Sequence, residues 1–150
     1  MPKGILFKHE ILLLIFNNIA LAGVGDSIGL KSSAIEGTLY IALHTTDISE
    51  NAEVKQNTEE VNYVGYSRIS VVRNGDVGWS VVGNCASNIE KVIFSQCTVE
   101  ENIRVTTFSV GTDLSGEGKV LYIGQLLTEL EINNGDTPEF APGALQVKED

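Results

Sequence analysis

Thr38-Leu39-Tyr40-Ile41-Ala42-Leu43-His44 is the stretch on which the fold of this chain turns. On an extended backbone Leu39, Ile41 and Leu43 point to one side and Tyr40, Ala42 and His44 to the other, because successive side chains of a strand face opposite ways. A period of two held from Thr38 to His44 predicts a half-buried β-strand rather than a helix. Downstream, short runs at Tyr66–Arg73, Val77–Val82, 89–94, 103–110, 119–124 and 126–132 are separated by turn residues. Asn74-Gly75-Asp76, between the first two runs, signals a hairpin, since Asn-Gly accepts positive φ. Asn133-Asn134-Gly135-Asp136 turns the chain again, and Phe140, Leu145 and Val147 close it. About eight strands with no β-α alternation and no repeat argue against a parallel α/β sheet. The expected fold is mainly β, an antiparallel β-sandwich of jelly-roll-like type, with one N-terminal α-helix.

That helix is predicted over residues 5–22. Phe7, Ile11, Leu14, Ile15, Asn18 and Leu21 follow helical spacing, and Gly23 and Gly25 would end it. Leu12, Leu13, Phe16, Ile19 and Ala20 make the opposite face apolar as well, so the helix needs burial on most sides. It is expected to pack over the β core, and a contact with a neighbouring subunit is the sharper alternative. Lys3, Lys8, the apolar run Ile11–Phe16 and Ala20-Leu21-Ala22 partly imitate a secretory signal. Glu10 abuts the run and Asn17-Asn18 interrupts it, and the run falls short of the roughly 7–15 apolar residues of a signal core and the roughly 20 of a membrane span. The chain is therefore read as one domain over 1–150. Residues 1–37 supply the helix and a Gly/Ser-rich connector, and 38–150 the sandwich.

The 150 residues are 43% hydrophobic and 20% charged, which suits a globular chain with a real core. A formal net charge of -10 argues against nucleic acid and against an anionic membrane surface, both of which need a basic face. Cys85 and Cys97 flank the predicted strand 89–94. Two cysteines do not make a disulfide framework, and free, partly buried thiols are expected. The segment 45–62 is the longest loop, with Asp47, Glu50, Glu53, Glu59 and Glu60 against Lys55 alone. It reads equally as a solvated excursion and as a functional loop.

Several short motifs imitate chemistry. Gly25-Asp26-Ser27-Ile28-Gly29 matches the nucleophile-elbow pattern, with Ser27 as its nucleophile. Such a serine needs a histidine to take its proton and an acid to orient that histidine. Only His9 and His44 exist, and the elbow has a helix before it and a strand after, the reverse of what it requires. The preferred reading is a glycine turn. His44-Thr45-Thr46-Asp47 is too sparse for a metal site, since zinc ligands cluster, so His44 reads as a strand-end histidine near water. Asp113–Val120 imitates a phosphate loop, but Asp113 and Glu117 repel phosphate and Val120 stands where a magnesium-binding hydroxyl belongs. Tyr63, Tyr66 and Trp79 could form an aromatic ligand surface, although cross-strand packing explains them as well. No catalytic, cofactor or metal residue is therefore assigned, and an enzyme is not expected.

The run Leu39–Asp47 resembles the "LYVALHTADP" opening of a family of small tailed-phage and prophage virion structural proteins, commonly labelled tail fibre proteins. The likeness continues, in the same order, through Tyr63-Val64-Gly65-Tyr66-Ser67-Arg68, Gly78-Trp79, Gly83-Asn84, Val92–Cys97, Phe108–Thr112, Gly116–Tyr122 and Asn134–Leu145. At Asp47-Ile48 this chain lacks the family's usual proline. The resemblance implies a virion component without catalytic residues. A compact chain without heptads or repeats then suggests a capsid decoration (cement) protein or a small tail or neck component, partnered by major capsid or tail/neck proteins and by copies of itself. A tail-fibre module binding host glycans through exposed aromatics such as Tyr40 or Tyr63 is the alternative, and a serine hydrolase using Ser27 a distant third.

Overall fold

Thr38–His44 forms the strand β1. In the computed structural model, which covers all 150 residues, it is preceded by one helix, α1 (Ile5–Asn17), and followed by β2 (Ile69–Val72), β3 (Trp79–Val82), β4 (Cys85–Asn88), β5 (Val92–Ile93), β6 (Ile103–Gly111), β7 (Val120–Ile132), β8 (Glu139–Phe140) and β9 (Gln146–Lys148). The protein is mainly β, its paired strands run antiparallel, and its helix is N-terminal. The strands form sheets ordered β2-β1-β6-β7, β3-β4-β9 and β5-β8. No helix is long and apolar enough to cross a membrane.

The chain divides into two compact units. Unit 1 comprises Met1–Thr38, Val71–Glu90 and Pro142–Asp150, and unit 2 comprises Leu39–Ser70 and Lys91–Ala141. The chain thus passes between units within β1, within β2, and after Glu90 and Ala141.

In unit 1, α1 lies on β3 and β4. Leu12 and Phe16, four apart and so on one helical face, are its buried residues. Phe16 meets Trp79 edge-on with ring centroids 4.7 Å apart. Asn17 Nδ2 donates to the Trp79 carbonyl and His9 Nδ1 donates to the Gly83 carbonyl, both at 2.8 Å. The helix stops at Asn17, five residues short of the sequence-based estimate. Asn18 takes the left-handed conformation (φ 55°), and Ile19 N–H reaches back to the Leu13 carbonyl. This is a Schellman-type end in which Asn does what glycine usually does. Gly23 and Gly25 belong instead to a loop closed by paired backbone bonds between Leu21 and Leu30.

Arg73 completes the helix end. Its Nη2 and Nε donate to the carbonyls of Leu14 and Ile15, each at 2.7 Å, and Nη1 donates to Ser33 Oγ and the Glu36 carbonyl. Last-turn carbonyls lack intrahelical partners and carry the negative end of the helix dipole, so a guanidinium there satisfies both needs. Arg73→Ala is expected to lower stability by about 2 kcal/mol, the scale of charged hydrogen bonds lost without replacement. Chemical denaturation would measure it.

The Asn74-Gly75 hairpin does not form. β2 belongs to the sheet with β1, while β3 pairs with β4. Asn74 Oδ1 instead accepts from the N–H groups of Asp76, Val77 and Gly78, giving a wide Asx loop that hands the chain from one sheet to another. The actual hairpin is one step later. Val82 and Cys85 pair across Gly83-Asn84, with Gly83 at φ 59° supplying the positive φ that a tight turn needs at its first position. The strand Cys85–Asn88 has no counterpart among the predicted runs, and the predicted strand 89–94 shrinks to Val92–Ile93. Both cysteines are free.

In unit 2, β1 lies against β6 with Leu43 opposite Phe108 and His44 opposite Thr107. The predicted strands 119–124 and 126–132 are one strand, β7. Its register on β6 slips between Val105↔Leu130 and Thr107↔Gln125, so Leu126–Glu129 lie opposite Thr106 alone. Gly124 sits under the Phe108 ring, where a Cβ would collide with it. A second aromatic line, Tyr63, Tyr66, Phe94 and Phe140, has centroid separations of 5.5, 6.0 and 6.1 Å.

Candidate functional site

The densest polar cluster lies in unit 2, where the loop 45–62 meets the loop Gly111–Gly118. The 45–62 segment is no simple excursion. Ile48, Gln56 and Val61 are buried. The Gln56 backbone N–H donates to the Gly118 carbonyl, and its side-chain Oε1 accepts from the Asp113 N–H at 2.8 Å. Gly111 and Gly118 leave the room for that side chain, since a Cβ on either would strike it.

Arg68 is 4% exposed. Its guanidinium forms a two-pronged pair with Glu60, Nε to Oε2 and Nη2 to Oε1, both at 2.8 Å. Its remaining bonds go to the carbonyls of Asp113 (3.0 Å) and Gly116 (2.7 Å). Tyr66 Oη donates to Glu60 Oε2 at 2.9 Å and accepts from the Leu43 N–H of β1. Burial pushes the Tyr66 hydroxyl far above its ordinary value, so it stays a protonated donor. Two small clefts flank the cluster. One of about 160 Å³ is lined by Glu60, Tyr66, Ser67, Arg68 and Leu114–Gly116. The other, of about 260 Å³, is lined by Asn57, Glu60, Val61, Asn62 and Tyr66. Both fall below the roughly 300–1,000 Å³ of small-molecule sites. The arrangement is a tie: one guanidinium holds a carboxylate and two loop carbonyls, while the buried Gln56 Nε2 beside it has no hydrogen-bond partner.

The same bonds dispose of the phosphate-loop imitation. A phosphate loop offers its N–H groups to the anion. Here Asp113 N–H goes to Gln56 and Lys119 N–H to Thr112 Oγ1, while carbonyls face Arg68.

His44 is the last residue of β1, as expected, but it does not lie near water. It is fully buried, with Nδ1 2.8 Å from the Thr58 carbonyl and Nε2 2.7 Å from Ser109 Oγ. A carbonyl only accepts, so Nδ1 carries the proton and Nε2 accepts from the Ser109 hydroxyl. Burial lowers its pKa below 6.5, against the opposing pull of the Thr58 carbonyl and Glu60. The neutral ring is therefore the native form. Because the unfolded chain binds this proton more readily, stability should be full above pH 6.5 and decline as pH falls through the window below it. Asp47 acts in a lower window. Its carboxylate, held by the Ser49 hydroxyl and N–H, has its pKa lowered from 3.8, so its contribution fades only as pH falls through that range. Melting temperatures of the wild type and His44→Gln between pH 7 and 5 should converge as pH falls. Parallel curves would exclude His44 as the source.

The other sequence candidates separate. Ser27 lies in the exposed Leu21–Leu30 loop, where Asp26 Oδ1 accepts from the Ile28 and Gly29 N–H groups as a turn device. His44 belongs to the other unit and has both ring nitrogens occupied. Tyr63 is buried, with its hydroxyl on the Ser95 carbonyl at 2.6 Å and its pKa pushed up to about 12 by burial. Trp79 is fully buried in unit 1. The exposed aromatic platform does not form. Sequence reasoning missed the Glu60–Tyr66–Arg68 tie. Its only trace was an arginine inside the otherwise uncharged run Val61–Val72, a setting in which an unpaired charge is costly.

The polar cluster is spent mainly on internal ties, and comparison with known families places the chain among phage structural proteins of the fibre type. The chain belongs to the family described as Podophage GP4 fiber I protein gp80, whose model matches residues 31–148. That span takes in β1 to β9 and leaves α1 outside. No curated protein matches the chain.

Proposed function

We propose that this chain is a non-enzymatic component of a phage particle, a capsid decoration (cement) protein or a small tail or neck component. It works by binding other virion proteins and further copies of itself, with its two interleaved units acting as one domain. Family membership supports the broad part of this reading, a phage structural component. Quantitative mass spectrometry of purified particles tests it. The expected result is stoichiometric presence, with hundreds of copies for a shell decoration and a few for a tail or neck part. A protein found in infected-cell lysate and never in particles ends the proposal.

The family description, a fiber protein, favours a second reading, a fibre module at the host surface. With Tyr63 buried, such a module would bind through other residues. Binding of the isolated protein to host cells separates this reading from the first.

A further inference from the structure

The larger cleft beside the Glu60 tie is built from one short stretch of unit 2. Asn57, Glu60, Val61, Asn62 and Tyr66 line its 260 Å³ or so. Glu60 and the Tyr66 hydroxyl are already engaged, by Arg68, by each other and by the Leu43 N–H. The amides of Asn57 and Asn62 are not. Both residues are exposed, and neither side chain has a partner in the chain. Asn17, Asn18, Asn74, Asn84 and Asn134, by contrast, all use their amides within the fold. Between the two free amides stands Glu59. At φ 48° it is the one residue besides Asn18 and the glycines in the left-handed region, a conformation that strains a side chain with a β-carbon. The Glu59 carbonyl accepts from the Thr45 N–H and Glu60 bridges to His44, so this strained turn fastens the cleft wall to the end of β1.

The lining selects the ligand. A cation finds no free carboxylate, since both Glu60 oxygens are held, and no group of three metal-binding side chains stands together. An anion would face Glu50, Glu53 and Glu59 on the same loop, whose only cation, Lys55, is already on Glu117. An apolar molecule would strip water from the amides without replacing its hydrogen bonds. A neutral body rich in hydroxyls answers them, because each amide offers two donors and an acceptor. The cleft is too small for a drug-sized molecule but not for one sugar ring. We propose that it binds a single neutral sugar, with hydroxyls on the Asn57 and Asn62 amides and ring carbons against Val61 and Tyr66. The inference rests on the second reading above, the host-surface module, and gives it a site.

Nuclear magnetic resonance of the isotope-labelled full chain tests it, by titration with glucose, galactose, mannose, rhamnose and N-acetylglucosamine. At least one should shift the signals of Asn57–Asn62 and Tyr66 saturably. The dissociation constant should be about 1–10 mM, the scale for a ligand of roughly a dozen heavy atoms at ordinary efficiency. Asn57→Ala and Asn62→Ala should each weaken that binding about fivefold, the worth of a net hydrogen bond. The melting temperature should not move in either, because neither amide holds the fold. The uronate of the bound sugar should bind more weakly than the sugar, its carboxylate facing the acidic loop. No saturable shift up to about 100 mM, well above the expected constant, overturns the proposal. So do shifts confined to residues outside the cleft, alanine variants that bind like wild type, or a uronate that binds more tightly. Adhesion to host cells separates the site from the reading beneath it. If the wild type and the Asn57→Ala/Asn62→Ala double variant adhere equally, the cleft fails and the host-surface module stands. If the cleft binds sugar and the protein does not adhere, the reverse holds.

Discussion

Arg68→Ala is expected to destabilise the protein by about 3–5 kcal/mol, because it strands the mostly buried Glu60 carboxylate without its counter-ion. Three losses coincide. Glu60 keeps only its Tyr66 bond, and the Asp113 and Gly116 carbonyls lose their donor. Burial is what raises the cost: the exposed pairs Lys55–Glu117 and Lys91–Glu139 have similar distances and should each be worth about 0–1 kcal/mol. At about 2–4 °C per kcal/mol for a chain of this size, the melting temperature should fall by about 6–20 °C. The double variant Arg68→Met/Glu60→Gln should cost less than the sum of its parts, since neither leaves a lone charge. A loss under about 1 kcal/mol for Arg68→Ala would equate the tie with a surface pair and remove its role in fixing the two loops.

Trp79→Ala should cost unit 1 a similar amount, about 3–5 kcal/mol, the usual range for emptying a large aromatic site. Trp79 is fully buried beneath Phe16, so its loss removes the surface on which α1 rests. Its Nε1 has no hydrogen-bond partner. Trp79→Phe therefore gives up volume but no hydrogen bond and should cost only about 1–2 kcal/mol. Trp79 is the single tryptophan, so its fluorescence reports wild-type unfolding directly, and circular dichroism serves for the variants. Equal losses for the two substitutions would mean that the indole, rather than its bulk, matters.

The strand content was legible because period-two patterning marks extended backbone, as in Leu39, Ile41 and Leu43, but the half-buried reading of β1 fails, since Ala42 and His44 on its other face are buried too. The failures have local causes. Asn74-Gly75 has the composition of a hairpin, but the Asn74 side chain took three backbone N–H groups and opened the turn into a crossover. Asn18 ended the helix because an asparagine tolerates the left-handed region, and the later glycines drew attention away from it. Leu126–Glu129 broke the alternation of β7 without ending the strand, since a bulge interrupts pairing and not direction. The tie escaped because its members, Glu60 and Arg68, come from a loop that looked solvated and a run that looked like plain strand. The link between them and Asp113 exists only once β1 has brought their segments together.

The interleaving of the two units sets the order of events on the ribosome. α1 emerges well before the sheet beneath it is complete, since that sheet needs β3, β4 and finally β9, whose residues Gln146–Lys148 pair with β4. Lys3 likewise waits for Glu149 and Asp150. Leu12 and Phe16 must therefore wait for strands distant in sequence before they are covered, and folding by such distant contacts is slow. A nascent chain with an apolar leading segment and no finished partner is the species on which holding chaperones act.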